Sequence, residues 1–211
     1  MWDMKATQKR PAKEKLLDAA VSMIRTKGYA ASTVDELCAA AGVTKGAFFH
    51  HFESKEELAV AAADHWSEAA VGLFAAAPYH RHADPLDRVL GYIDFRRALL
   101  TGELPEFTCL AGTMIQETYR SNLPIRDACA RSIMSHAAQV EADIREAIET
   151  HRLNPPWTAA SLAIYMQAVL QGAFIIAKAE GHARDAAACV DHLRRYVALL
   201  FDRAQKRARA R

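Results

Sequence analysis

Between residues 9 and 77, apolar positions recur at three- and four-residue spacing, and the residues between them are those that start and stop helices. Leu16, Leu17, Ala20, Val21 and Ile24 trace one helical face from about Lys9, with Gly28 as its stop. Thr33 predicts the N-cap of a second helix. Glu36, three residues on, is placed to return a bond to the Thr33 amide and complete a capping box. Leu37, Cys38 and Ala41 form the buried face of this helix, and Gly42 ends it in a left-handed turn plugged by Val43. Thr44 caps a third helix two residues later, and Phe48 and Phe52 supply its inward stripe. Its outward face carries Lys45, Gly46, Ala47, Phe49, His50 and His51. Ser54 and Glu57 make another capping box, and Leu58, Ala62, Trp66, Ala69 and Leu73 carry a fourth helix to about Ala77.

The helical period continues to the end. Asp84 followed by Pro85 predicts an N-cap with proline at the first helical position, and Leu86, Val89, Leu90, Ile93 and Arg97 follow to about Leu100. Residues 102–105 read as a break and 108–119 as a short helix. Pro124 opens a longer helix with Ile125, Cys129, Ile133, Val140, Ile144 and Ile148 along one face. Asn154-Pro155-Pro156 interrupts, and an uncharged helix then runs to about Glu180 with Gly181 as its stop. The last helix starts near Arg184 and repeats Val190, Leu193, Val197 and Leu200. With no strand-period segment, the expectation is nine helices and an all-α fold.

Composition narrows the class. At 51% hydrophobic over 211 residues, the chain has enough apolar material for a sizeable core. The net charge of +2 hides an uneven distribution. Lys5, Lys9, Arg10, Lys13 and Lys15 oppose a single Glu14, and Arg203, Lys206, Arg207, Arg209 and Arg211 meet no acid. The body between these basic ends is therefore acidic, and the N-terminal run suits contact with phosphate. Cys38, Cys109, Cys129 and Cys189 are far apart with no C-x-x-C, as expected of reduced thiols in cytosol. No apolar leader is apparent. Residues 157–177 are uncharged and long enough to raise the question of a membrane span, but Thr158, Ser161, Gln167 and Gln171 favour a buried or interfacial helix. His80 and His82 lack further ligands, so no metal is expected, and no nucleotide, hydrolase or metalloprotease motif suggests a cofactor or an enzyme.

Helix, glycine turn, helix is an arrangement that carries a second helix into the DNA major groove. Thr33-Val34-Asp35-Glu36-Leu37, Ala41 to Gly46, Phe49 to Phe52 and Lys55 to Leu58 together resemble the N-terminal domain of TetR/AcrR-type transcriptional repressors. The resemblance covers roughly residues 9–69. It implies a helix-turn-helix DNA-binding domain over 9–69 and an effector-binding and dimerisation bundle over 70–211. It implies a cytoplasmic homodimer on a palindromic double-stranded operator, released by a small-molecule effector. On this reading Lys45, His50 and His51 face bases or phosphates, while Thr33, Thr44, Phe49 and Lys55 hold the backbone. The family usually has tyrosine where this chain has Phe49, and losing that hydroxyl costs about 1 kcal/mol if nothing replaces it.

The remaining candidates are Trp66 and residues of the second domain. Trp66, Phe95, Phe107, Met114, Tyr119, Tyr165, Met166 and Phe174, with Gln116, Gln167 and Gln171, are either core or the lining of an effector pocket. Small Ala168, Gly172, Ala173 and Ala177 beside Ile176, and the stripe Val190, Leu193, Val197 and Leu200, are expected at a subunit interface. Cys109 at a helix start leaves open a thiol-based redox or electrophile sensor. An all-α small-molecule-binding protein or enzyme, with a merely structural helix-turn-helix, also stays open.

Overall fold

The computed structural model describes residues 10–209, with side chains to Asp202 and at Ala204. Lys5, Lys9 and the basic run 203–211 lie outside the described side chains. Among the described residues the chain is all helix and turn. The helices are α1 (Ala12–Lys27), α2 (Val34–Ala41), α3 (Lys45–His51), α4 (Lys55–Ala75), α5 (Pro85–Ala98), α6 (Leu104–Phe107), α7 (Leu110–Thr118), α8 (Leu123–Thr150), α9 (Ala159–Glu180) and α10 (Arg184–Arg209). A 3-10 turn occupies Pro78–Arg81. Ten helices replace the expected nine because α6 forms inside the presumed break. Pro105 falls in its first turn, where no N–H is needed, and the Glu106 carboxylate folds back onto the Glu103 amide at 2.9 Å.

The chain divides into two compact units. The first comprises Met1–Ala70 with Cys109–Ser132, and the second Val71–Thr108 with Ile133–Arg211. Residues 109–132 thus group with the N-terminal helices, and α4 and α8 each run without a break from one unit into the other.

In the first unit α1 packs on α2, α3 and α7. Leu16, Ile24, Leu37, Phe48, Phe52, Leu58, Leu110, Met114 and Ile125 are buried there. Truncating a ring as enclosed as Phe48 costs about 3–5 kcal/mol. The α4 stripe departs from expectation: Ala69 and Leu73 are exposed, and Phe74 is the buried residue instead.

In the second unit α10 packs against α9 and α5. Thr158 caps α9 through the Ser161 amide, and Gly181 ends it. α9 is long and apolar enough to cross a membrane by length and composition, yet 39% of its most apolar stretch is buried against the protein itself. Of the expected interface residues, Ala173, Val190, Leu193 and Val197 are buried within this one chain, so they are core. Ala168 and Ile176 are exposed, and Gly172 and Leu200 half-buried. On α9 and α10 the exposed large apolar side chains are Ile164, Tyr165, Ile175, Ile176, Tyr196 and Leu199.

Candidate nucleic-acid interface

The turn between α2 and α3 is built by local chemistry. Thr33 Oγ1 accepts the Glu36 amide, and the Glu36 carboxylate accepts the Thr33 amide at 2.9 Å. Gly42 adopts φ 63°, which lets its N–H reach the Ala39 carbonyl and the Val43 N–H reach Cys38. This paired closure satisfies carbonyls that the end of α2 leaves open. Thr44 then accepts the Ala47 amide at 3.1 Å and starts α3. After α3, Ser54 accepts the Glu57 amide at 3.1 Å, but Glu57 returns its carboxylate to Glu53 rather than to Ser54.

With Phe48 and Phe52 buried, α3 turns Lys45, Gly46, Phe49 and His50 to solvent and leaves Ala47 and His51 half-buried. Phe49 is 53% exposed and stands edge-on to Phe48. The His50 and His51 rings are 4.8 Å apart. The Thr44 hydroxyl hydrogen has no acceptor among the described residues, so it is free for a phosphate. A Cβ on Gly46 would meet nothing nearer than Thr44 Oγ1 at 3.8 Å. Packing among the described residues therefore does not demand glycine there.

Two expected DNA contacts are engaged elsewhere. Lys55 Nζ donates to the Tyr29 and Ser32 carbonyls at 3.1 and 3.0 Å and sits over the Tyr29 ring, so it braces the loop after α1. The Thr33 hydroxyl donates to Glu36 at 2.8 Å and is committed to its own cap. Sequence reasoning also missed the acids that hold the basic side chains. Lys45 Nζ lies 2.8 Å from Asp35, which raises the Lys45 pKa, and Lys27 lies 2.6 Å from Glu36. The Lys27 and Thr33 hydrogen bonds lower the Glu36 carboxyl to about 2.

The pocket candidates divide between the units. Trp66, Cys109, Met114, Gln116 and Tyr119 belong to the first. There Trp66 is stacked by Arg25, Met114 is core, Gln116 bonds to the Gly112 carbonyl of its own helix, and Tyr119 is exposed. Phe95, Phe107, Tyr165, Met166, Gln167, Gln171 and Phe174 belong to the second. Of these, Gln167, Phe95 and Phe174 join a cluster with Phe74, Tyr79, Tyr92, Arg96 and His136. Tyr165 instead pairs with Tyr196 on the exposed α9–α10 face.

The profile of bacterial regulatory proteins of the tetR family matches residues 16–62, and that of the tetracyclin repressor-like C-terminal domain matches residues 85–195. The chain belongs to the TetR family. YerO of Bacillus subtilis, an uncharacterized HTH-type transcriptional regulator, is 37% identical over 54 residues, which are 26% of this chain and 19% of YerO. Across the curated relatives, the matched stretch is 19–28% of their own length. A TetR transcriptional regulator from Chloroflexus aurantiacus superposes with a TM-score of 0.79 at 25% identity, covering 92% of this chain and 97% of that one. CifR superposes at 0.73 with 19% identity, covering 86% and 95%; that protein, as a cysteine mutant, was solved with 26 bp double-strand operator DNA. For this TetR-family chain, the helix-turn-helix built from α2 and α3 lies inside the first matched segment.

Proposed function

We propose that this TetR-family protein is a cytoplasmic repressor that binds a palindromic double-stranded operator as a homodimer and is released by a small-molecule effector held in the second unit. The observation that carries DNA binding is the outward face of α3. A glycine within a helix costs up to about 1 kcal/mol relative to alanine. No neighbour among the described residues requires it at Gly46, which supports a role in letting a nucleic-acid backbone come close. Thr44 beside it keeps a free hydroxyl donor, and Lys45, Phe49 and His50 complete the face. Lys45 exchanges Asp35 for phosphate on binding.

The effector reading is supported by continuity. Phe74 at the end of α4 and His136 in α8 belong to the aromatic cluster of the second unit, and both helices continue into the first. A ligand that prefers one arrangement of that cluster biases the DNA-reading unit by its differential affinity, with coupling of about 1–3 kcal/mol. Selection of duplexes from a random library, followed by titration at several salt concentrations, tests the proposal. A palindromic winner with steep salt dependence supports it; the absence of any selected duplex removes it.

A second reading rests on Cys109. Its sulfur caps α7, accepting the Gly112 amide at 3.4 Å, while burial pushes the Cys129 thiol up to about 12. A thiol at a helix start beside a second cysteine suits oxidant or electrophile sensing. If oxidants release DNA from the wild type and not from Cys109→Ser, this reading gains; equal response removes it.

A further inference from the structure

The second unit holds a polar chain inside its aromatic cluster. Tyr92 is fully buried, and its hydroxyl lies 3.1 Å from Gln167 Nε2 and 2.9 Å from His136 Nε2. Gln167 Nε2 donates to the tyrosine oxygen, and the buried hydroxyl has no other acceptor than His136 Nε2 among the described residues, so its hydrogen goes there. That fixes a neutral imidazole accepting at Nε2 and carrying its proton on Nδ1, in keeping with a pKa lowered to about 4 by burial and by the charge of Arg96. Nδ1 has no partner among the described residues.

Arg96 stands one turn beyond Tyr92 on α5. Its guanidinium carbon is 5.3 Å from the centroid of Phe74 and 5.5 Å from that of Phe174. Among the described residues no carboxylate reaches it, although Arg88 pairs with Asp143 and Glu146, Arg97 with Asp191 and Arg194 with Asp94. The cluster therefore combines a half-buried cation lacking a counter-ion, an unpaired N–H donor, and the rings of Phe74, Phe95 and Phe174. Aromatic faces hold a guanidinium in place while leaving its N–H fork unsatisfied. The complement to that fork is a carboxylate.

We propose that this cluster is the effector site and that it selects a carboxylate on an aromatic body, with Arg96 and His136 Nδ1–H taking the carboxylate and Phe74, Phe95 and Phe174 packing the body. The proposal rests on the effector-released reading above and names the chemistry of that effector. The acid is bound as its anion, and no covalent step is involved.

The test uses the full-length protein with benzoate, phenylacetate and 3-phenylpropionate, each beside its uncharged amide. Thermal shift and release of the selected operator duplex are read in parallel. At least one acid should raise the melting midpoint and release DNA, and its amide should do neither. Arg96→Gln should weaken the acid's apparent affinity by roughly tenfold or more, as loss of a charge-assisted pair implies, with Arg96→Lys retaining part of it. Equal responses to acids and amides, or no response of the wild type to any acid, overturn the proposal. The acid–amide comparison needs no variant to fold. If a neutral compound alone releases the operator, the effector reading stands and the carboxylate fails; if no duplex is selected at all, the repressor reading fails first.

Discussion

Glu117 accepts the backbone amide of Ala30 at 2.8 Å with one carboxylate oxygen, and that of Tyr29 at 3.1 Å with the other. The contact joins the last turn of α7 to the loop that leads from α1 into α2, eighty-seven residues away in the chain. Lys55 grips the same loop through the Tyr29 and Ser32 carbonyls. The segment preceding α2 is thus held by an anion on its N–H groups and a cation on its C=O groups. Charged hydrogen-bond partners contribute about 1–3 kcal/mol, less when solvent reaches them, as it does here. Glu117→Ala should lower stability by about 1–2 kcal/mol and weaken operator binding; Glu117→Gln, with one acceptor oxygen, should fall between. Chemical denaturation and fluorescence anisotropy check both, and unchanged operator affinity in a destabilised Glu117→Ala would confine Glu117 to a stability role.

The Lys45–Asp35 pair sets a test of the DNA face. Both side chains are largely exposed, so the pair itself adds little to stability. Removing the cation should reduce operator affinity and lower the log–log salt slope by about 1. Asp35→Asn should act the other way, raising affinity by releasing Lys45 and removing a negative charge from the approach path. Anisotropy titrations of Lys45→Ala and Asp35→Asn at matched salt decide it, and opposite signs are required.

How much of this was legible in the sequence depended on reach. Thr33 with Glu36, Gly42 with Val43 and Thr44 with Ala47 act within a few residues, so the turn into α3 could be read directly. Lys55 resembled a phosphate contact until tertiary folding brought Tyr29 and Ser32 beneath its ammonium. Val190, Leu193 and Val197 show the same limit. Their spacing marks a buried stripe, but periodicity does not say whether the cover is α9 of the same chain or a second copy. Tyr92, Arg96 and His136 come from two helices with unremarkable spacing, and only packing reveals that they share one cluster.

That distinction relocates the proposed dimer face. Ile164, Tyr165, Ala168, Gly172, Ile175 and Ile176 fall on one side of α9, and Tyr196 and Leu199 on α10 join them through the Tyr165–Tyr196 ring contact at 5.1 Å. A contiguous exposed apolar stripe of this kind marks an association surface. Ile164→Glu and Leu199→Glu should each shift the protein toward monomer in sedimentation velocity while leaving its helix content intact. Dimers that persist in both variants would place the interface elsewhere.

His136 gives a pH prediction whose sign follows from its direction. Burial first, then the Arg96 charge, lowers the imidazole from its ordinary 6.5 to about 4. Between those values the unfolded chain takes up a proton that the folded chain refuses. This contribution is therefore complete above about pH 6.5 and is lost as pH falls toward 4, reaching about 2 kcal/mol at pH 5. Denaturation curves at pH 7 and pH 5 should show that loss in the wild type and a smaller one in His136→Asn. Equal losses would show that the histidine is not the titrating group.

Phe49 offers a gain-of-function test of where α3 points. Its ring is T-shaped against Phe48, with centroids 5.1 Å apart, and more than half of the residue is exposed. On so exposed a side chain an added hydroxyl should cost little in packing. If α3 lies along DNA, Phe49→Tyr restores a donor toward the phosphates and tightens operator binding by about 1 kcal/mol, roughly fivefold, with little change in melting temperature. If α3 points away from the duplex, the variant binds as the wild type does. A variant that binds more weakly would assign Phe49 an apolar contact of its own, such as a thymine methyl, which the hydroxyl disturbs.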